Sequence, residues 1–385
     1  MALHFERAEF DGGIAAARAE LDARGLAAIL LFAQESHYYL TGYDTFGFAM
    51  FQCMVVSVNG DVHLLTRAPD LRQAQQTSIL SDEQIHIWVD VEGTDPFTQL
   101  KQLVDDLGLA NCVLGIETKT VGLTAFNGQQ LSEVFAEFVE LHEASDLVSL
   151  LRREKSPQEI EYHRKAAELS DDALDAAVEL TKAGAYEGEI LAAMQGAVFK
   201  GGGDYAGNEF IIGSGEAALL VRYQSGRRYL DPKDQLTLEW SGAYRRYHAA
   251  MMRTLVVGKP FSIQTKMHEV AQEALIACEN AIRPGRPMGE VFDAHAKVFD
   301  DNGMRHARLN ACGYGMGAIY NPIWVDFPMF YEGNPLPMNV NNVFFLHMIL
   351  VDSEAGMAMT LGHSVLVTET GVERLSRSPL DLIVR

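Results

Sequence analysis

The sequence predicts two domains, an α/β domain over residues 1–151 and an α+β domain over residues 152–385. A chain of 385 residues is too long for one compact core, so its length alone favours two domains. The first domain alternates strand, helix and hairpin patterns, which is typical of an α/β fold. The second pairs long helical segments with strand-like runs, which indicates helices flanking an antiparallel sheet.

The elements of the first domain follow from hydrophobic spacing and turn residues. Residues 12–25 carry apolar side chains at helical spacing, and residues 26–32 form an apolar run typical of a buried strand. Asn59-Gly60 separates two apolar runs, which is a strong hairpin signal. Three further elements are predicted: a strand over residues 84–91, a helix near residues 97–107 and a strand over residues 112–117.

The second domain opens with a helix start signal. Ser156 suits the N-cap, Pro157 the first helical position and Glu159 the third, which together make a capping box for a long helix. The segments predicted after it are helices over residues 186–199, 267–281 and 288–302, and strands over residues 235–239, 249–257, 343–351 and 364–368.

Composition excludes several functional classes. The net charge is −21 and the pI is about 4.9, which argues against a surface for nucleic acid or anionic membrane, because both need clustered Lys and Arg. The four cysteines include no C-x-x-C pair, so neither a disulfide framework nor a structural zinc site is expected. The N-terminus lacks the apolar core of a signal peptide, and no apolar run reaches the length of a membrane span. We therefore expect a soluble, cytoplasmic protein.

Five motifs occur in one order along the chain and carry a family resemblance. They are REKSPQEIEYHRKAAELSD, DQLTLEWSGAYRRYHAAMMRTLVVGKP, ACGYGMG, VFFLHMIL and LGHSVLVTETGVERL. Together they resemble the creatinase/aminopeptidase P family over the full chain, which implies a pita-bread catalytic domain after the N-terminal domain. The motifs are most similar to those of the ectoine hydrolase-like members, which lack the metal ligands.

The resemblance also points to a missing metal site. The metal-dependent members bind two metal ions through two Asp, one His and two Glu. The corresponding positions here are Glu239, Ala250, Tyr314, His347 and Gly362. Ala and Gly carry no donor atom, and a Tyr phenol stays protonated at neutral pH. We therefore expect no metal cofactor; the open alternative is a single divalent metal held by Glu239, His347 and His363.

The resemblance implies hydrolysis of a C–N bond in a small zwitterionic solute, an ectoine-like cyclic amidine or a creatine-like compound, as in the degradation of compatible solutes. Glu239 would act as nucleophile or base, and His347 with His363 would carry protons. The substrate-binding residues expected are Tyr314, Arg222, Phe48, Tyr247, His248 and Arg253. The structural alternatives are an ion pair for Glu239, a hydrogen-bonded core position for His347 and simple packing for Tyr314.

Two other functions stay open from the sequence. One is a metal-dependent Xaa-Pro dipeptidase or aminopeptidase, which Ala250 and Gly362 disfavour. The other is a binding protein that keeps the fold without catalysis. The resemblance further implies a homodimer in which the N-terminal domain of one subunit reaches the active site of the other, with a small molecule as substrate and no nucleic-acid or membrane partner.

Overall fold

The computed structural model describes residues 3–222 and 226–385. The chain divides into two compact units, Met1–Arg152 and Arg153–Arg385. No helix within the described ranges is both long enough and apolar enough to span a membrane.

The first unit is built around a mixed sheet with strand order β4-β3-β2-β1-β5-β6. Its strands are β1 (Ala28–Leu31), β2 (Cys53–Ser57), β3 (Val62–Arg67), β4 (Ile85–Trp88), β5 (Val113–Ile116) and β6 (Glu140–Glu143). Its helices are α1 (Arg7–Ala23), α2 (Gln34–Thr41), α3 (Leu71–Thr77), α4 (Pro96–Asp106), α5 (Ala125–Phe135) and α6 (Asp146–Leu151). Four 3-10 turns occur in the described chain, at Gly47–Ala49, Ala68–Asp70, Asp82–Gln84 and Gly215–Leu219.

The central strand β1 shows why this sheet is covered on both faces. Successive side chains of a strand point to opposite faces, and all of β1 is buried. Ile29 and Leu31 belong to one apolar cluster, whereas Ala28 and Leu30 belong to another. A sheet buried in this way between helices confirms the predicted α/β class. The hairpin at Asn59-Gly60 is also confirmed, because β2 and β3 are antiparallel neighbours.

The second unit is a mainly antiparallel sheet covered by helices, which confirms the predicted α+β fold. Its helices are α7 (Pro157–Leu180), α8 (Glu187–Lys200), α9 (Ser262–Ala281) and α10 (Gly289–Asp301). Its strands are β7 (Ile211–Ser214), β8 (Asp234–Tyr244), β9 (Tyr247–Val257), β10 (Gly313–Gly315), β11 (Asp326–Met329), β12 (Val343–Asp352), β13 (Met357–Val367), β14 (Val372–Arg374) and β15 (Ile383–Val384). The main strand order is β11-β10-β12-β13-β9-β8-β7, and β14 and β15 pair with β13 and β9.

Helix α7 begins where the sequence predicts. The Glu159 backbone N–H donates to the Ser156 hydroxyl at 3.2 Å, and the Ser156 N–H donates to the Glu159 carboxylate at 2.7 Å. This reciprocal pair satisfies two of the N–H groups that a helix start leaves without partners.

Two long hairpins, β8–β9 and β12–β13, form the middle of the second sheet. They meet where Met252 lies opposite Gly362 and Arg253 opposite Leu361. Helices α7 and α9 cover one face, which we call the helix face; there the Trp240 indole donates to the Ser170 carbonyl of α7 at 2.9 Å. We call the opposite face the pocket face.

The Gly-Tyr-Gly segment is a strand and not the turn that its glycines suggest. It forms β10, which pairs with β12 on one side and β11 on the other. A Cβ atom at Gly313 would lie 2.3 Å from the Phe345 carbonyl oxygen, and one at Gly315 would lie 2.5 Å from the Phe327 carbonyl oxygen. The glycines are required because neighbouring backbones come this close on both sides of Tyr314.

Candidate active site

A cavity of about 200 Å³ opens on the pocket face of the second sheet. Glu239, Tyr314 and His347 line it together with Arg222. The remaining walls are mainly apolar, and are formed by Asn208, Ile211, Val221, Leu309, Ala311, Ile323, Trp324, Val325, Met329 and Ile349. A small cavity with apolar walls and a few converging polar groups is the usual form of a site for a small molecule.

Strand register places Glu239 and His347 on the same face. Glu239 lies opposite Met252, Met252 opposite Gly362, and Gly362 opposite His347. Residues directly opposite one another in neighbouring strands point to the same side of a sheet. The four residues therefore form one row across the two hairpins, with the carboxylate at one end and the imidazole at the other.

Glu239 is partly buried and has a cation nearby. Burial raises the pKa of its carboxyl to about 7, while the positive charge of Arg222 and a hydrogen bond from Tyr314 act in the opposite direction. At neutral pH a larger share of this carboxyl group is therefore protonated than in an ordinary exposed glutamate. A group with this pKa both accepts and returns a proton readily at neutral pH.

Tyr314 links Glu239 to Trp324. The Trp324 indole N–H donates to the Tyr314 hydroxyl at 2.9 Å. Tyr314 and Glu239 line the same cavity, and hydrogen bonding from the phenol lowers the pKa of the Glu239 carboxyl. Burial is the main reason that the pKa of the Tyr314 phenol lies well above its usual value. The phenol is therefore neutral and donates a hydrogen bond at any physiological pH.

His347 is a neutral imidazole packed among aromatic rings. Its ring centroid lies 5.6 Å from those of both Tyr314 and Phe345, and burial lowers its pKa to about 4. Its Nδ1 atom is buried and has no hydrogen-bond partner among the described residues. At neutral pH this side chain offers one N–H donor and one nitrogen acceptor, and not the charged acid expected of an ordinary histidine.

His363 is not brought to this cavity, in contrast to the sequence-based expectation. It lies opposite Leu346, one residue out of step with the row that contains His347, and so points to the helix face. There its Nε2 atom is 2.7 Å from Glu279 of α9, which also binds Arg374 through two hydrogen bonds. His363 therefore belongs to a cluster around the Glu279–Arg374 ion pair that ties the sheet to α9.

Arg253 is also on the helix face and does not reach the cavity. Its Nη1 atom donates to the carbonyl oxygens of Met252 at 2.8 Å and Gly362 at 2.6 Å. Desolvation lowers its pKa to about 10, which still leaves the guanidinium charged at neutral pH. The expected substrate contact is replaced by a connection between the backbones of β9 and β13.

His248 and Tyr247 hold neighbouring chain segments in place. The Gly207 N–H donates to His248 Nε2 at 2.8 Å, and His248 Nδ1 is 2.7 Å from the Arg246 carbonyl, which fixes the neutral tautomer with its proton on Nδ1. The Tyr247 hydroxyl donates to Glu159 of α7 at 2.9 Å. Neither side chain lines the cavity.

Phe48 lies in the first unit, within the 3-10 turn Gly47–Ala49, where it is buried. Its expected contact with substrate stays a prediction.

The residues on the pocket face do not fit the paired metal site of the family. Ala250 has no donor atom, and Gly362 has no room for one. A Cβ atom at Gly362 would lie 2.5 Å from the Leu346 carbonyl oxygen and 3.1 Å from the Cα atom of His347. Among residues 3–222 and 226–385, no group of three or more His, Cys, Asp or Glu side chains is arranged to hold a metal ion. The single-metal alternative also fails geometrically, because His363 faces away from Glu239 and His347.

Substitution of Gly362 by alanine should measure how tightly this position is closed. We expect Gly362→Ala to lower the free energy of unfolding by about 2 kcal/mol or more, because the added methyl group meets backbone atoms that have no free space to move into. Urea-induced unfolding measures the loss. Gly196 in α8 is the matched control: a Cβ atom there meets nothing within 4 Å, so Gly196→Ala should be neutral or stabilising. Equal stability of the two variants would contradict the conclusion that Gly362 has no room for a side chain.

Sequence reasoning missed Trp324 and Asn208 as site residues. Trp324 lies between β10 and β11 in the segment IYNPIWVDFP, and its backbone N–H donates to the Asn208 side chain at 3.1 Å. A tryptophan in a loop rich in turn residues was the available signal. Its contact with Tyr314 depends on a fold that no local pattern describes.

Comparison with known proteins identifies the family. Residues 161–369 match metallopeptidase family M24, and residues 14–153 match the creatinase/prolidase N-terminal domain. Ectoine hydrolase from Halomonas elongata is 26% identical over 402 residues, covering 100% of this chain and 99% of that protein. Xaa-Pro dipeptidase from Pyrococcus furiosus is 24% identical over 69% of this chain and 76% of its own length.

Solved structures show the same fold. The crystal structure of dipeptidase PepE from Mycobacterium ulcerans superimposes with a TM-score of 0.85 at 23% identity, and the match covers 99% of both chains. Since the two family matches together span most of the sequence, the family is secure. This chain belongs to metallopeptidase family M24 and is a hydrolase of the creatinase/M24 family, built from a creatinase/prolidase N-terminal domain and a pita-bread C-terminal domain.

Proposed function

We propose that this protein hydrolyses a C–N bond in a small zwitterionic solute, such as an ectoine-like cyclic amidine, without a metal ion. The observation that carries the proposal is the row from Glu239 to His347, in which the metal-ligand position between them is the closed glycine Gly362. The full-length similarity to ectoine hydrolase from Halomonas elongata supports the substrate class.

The charges around the cavity suit a zwitterion. Arg222 supplies a guanidinium that binds a carboxylate through two parallel hydrogen bonds, and Glu239 supplies a carboxylate for an amidinium group. The apolar walls suit the carbon skeleton of a compact ring. A cavity of about 200 Å³ also limits the substrate to a small molecule.

We propose Glu239 as a general base. Its carboxylate takes a proton from a water molecule as the water oxygen bonds to the amidine carbon, and it then returns that proton to the departing nitrogen as the C–N bond breaks. Amidine and water thereby become an amide and an amine. The neutral imidazole of His347 contributes a hydrogen bond to the substrate or to the departing nitrogen, because its low pKa keeps it uncharged.

The test combines substrate and metal in one assay. Protein stripped of metal by chelation is incubated with ectoine, creatine and Xaa-Pro dipeptides, and products are identified by mass spectrometry. We expect ring opening or C–N cleavage of a small solute at the same rate before and after chelation. Cleavage of Xaa-Pro dipeptides only after Mn²⁺ or Co²⁺ is added would instead establish the peptidase alternative. A solute that raises the melting temperature without being cleaved would indicate a binding protein.

Oxygen labelling separates the two possible roles of Glu239. In a single turnover in H₂¹⁸O, general-base catalysis places ¹⁸O in the product. Direct attack by the carboxylate would place an unlabelled oxygen of Glu239 in the first product molecule. The homodimer, the cytoplasmic location and the contribution of Phe48 stay predictions of the family resemblance.

A further inference from the structure

The buried indole of Trp324 has one fixed polar capability. Its side chain is almost fully enclosed, and its Nε1–H group donates to the Tyr314 hydroxyl oxygen at 2.9 Å. An indole nitrogen donates a hydrogen bond but does not accept one. The Tyr314 oxygen must therefore be the acceptor in this contact, which leaves its own proton for an acceptor in the cavity, where Glu239 is the carboxylate among the lining residues.

We infer that Trp324 is a positioning residue, which directs the hydroxyl proton of Tyr314 onto the Glu239 carboxylate. A phenol hydroxyl rotates about its C–O bond, and without a fixed donor it can turn its proton towards other acceptors or towards water. The Trp324 indole limits that rotation, because its N–H group already occupies a lone pair of the Tyr314 oxygen. Its role in turnover rests on the proposed function, but its effect on Glu239 does not.

Trp324 is itself held in place by a chain of hydrogen bonds. Its backbone N–H donates to the Asn208 side chain at 3.1 Å. The adjacent Gly207 N–H donates to His248 Nε2 at 2.8 Å, and His248 lies on β9. The indole is thus tied by hydrogen bonds to β9, which pairs with β8, the strand that carries Glu239.

Nuclear magnetic resonance of the unmodified protein tests this link directly. The chain has three tryptophans, so a ¹⁵N-labelled sample gives three indole N–H signals. We expect the Trp324 signal to shift with pH at the pKa of Glu239, because ionisation of the carboxylate changes the hydrogen bond that Tyr314 accepts. The matched control is Trp240, which is also buried but donates to the Ser170 carbonyl on the helix face, and whose signal should stay constant.

Three variants complete the test. In Glu239→Gln and Tyr314→Phe the pH dependence of the Trp324 signal should vanish. In Trp324→Phe the pKa of Glu239, followed by ¹³C labelling of its carboxyl carbon, should rise by about half a pH unit or more, because a bond to the ionised form is weakened. In the double variant of Trp324 and Tyr314 the pKa should equal that of Tyr314→Phe alone.

Two results would overturn the inference: a Trp324 signal that ignores the titration of Glu239, or pKa changes that add in the double variant. Both measurements are made without substrate. Failure of the proposed function would appear separately, as absence of C–N cleavage in a protein whose Trp324 signal still titrates.

Discussion

Replacing Glu239 by glutamine should lower kcat by about a thousandfold or more and leave the protein folded. Glutamine keeps the shape of the side chain and its hydrogen bond from Tyr314, but it cannot accept the proton of the attacking water. Loss of a general base and of its negative charge lowers kcat by a factor of this order. Steady-state kinetics on the cleaved solute measure it, and circular dichroism with thermal unfolding confirms the fold.

The pH dependence of wild-type turnover gives an independent check. A base must be ionised to act, and burial raises the pKa of Glu239 to about 7. We therefore expect kcat/KM to rise with pH through about 7 and to level off above it. Full activity of the Glu239→Gln variant, or a rate that is constant between pH 5 and pH 8, would contradict the role given to this carboxylate.

Acidification should destabilise the protein well above the pH at which ordinary exposed carboxylates titrate. We expect the free energy of unfolding to fall by on the order of 5 kcal/mol between pH 7 and pH 5, measured by urea-induced unfolding. The cause is a set of buried histidines whose pKa values burial lowers. The values are about 4 for His37, His248 and His347 and about 3 for His295, and that of His163 lies well below normal.

The sign follows from comparing proton uptake in the two states. Below about pH 6.5 the unfolded chain protonates these histidines and the folded protein does not, so acid favours unfolding. Glu117 and Glu239 act in the opposite direction, because their pKa values of about 7 let the folded state take up protons first. The histidines outnumber the two glutamates, so the net effect is a loss of stability.

The Glu117→Gln variant tests this balance. Glu117 accepts hydrogen bonds from the backbone N–H groups of Phe32 and Ala33, each at 2.8 Å, and a glutamine oxygen can replace part of this contact. Without its titration the loss between pH 7 and pH 5 should grow by about 2 kcal/mol. Stability that stays constant or rises on acidification would show that the histidines do not titrate as their burial implies.

The elements that could be predicted from the sequence are those whose signals are local. The hairpin at Asn59-Gly60 and the start of α7 at Ser156 depend on residues a few positions apart, and both are confirmed. Helix α2 was missed because its start is satisfied by Glu117, more than eighty residues further along the chain. Strand β10 was missed because its glycines reflect close backbones and not a turn.

The residues of the candidate site also fall into those that the sequence could predict and those that it could not. Residue type and motif position identified Glu239, Tyr314, His347 and Arg222, which the structure brings to one cavity. The same motifs suggested His363, but a single step of register moves a strand residue to the other face of the sheet. Pairing between distant strands decides that step, and hydrophobicity gave no guide because β13 is buried on both faces.

The connection made by Arg253 has a mechanical consequence. In a two-metal relative the ions bind side chains from several strands and so hold those strands together. Here the guanidinium of Arg253 joins the backbones of Met252 and Gly362 from the rear, directly behind the row from Glu239 to His347. A side chain of the protein therefore joins the hairpin that carries Glu239 to the hairpin that carries His347. This contact needs only the side chain of Arg253, so we expect it to form as soon as β9 and β13 pair.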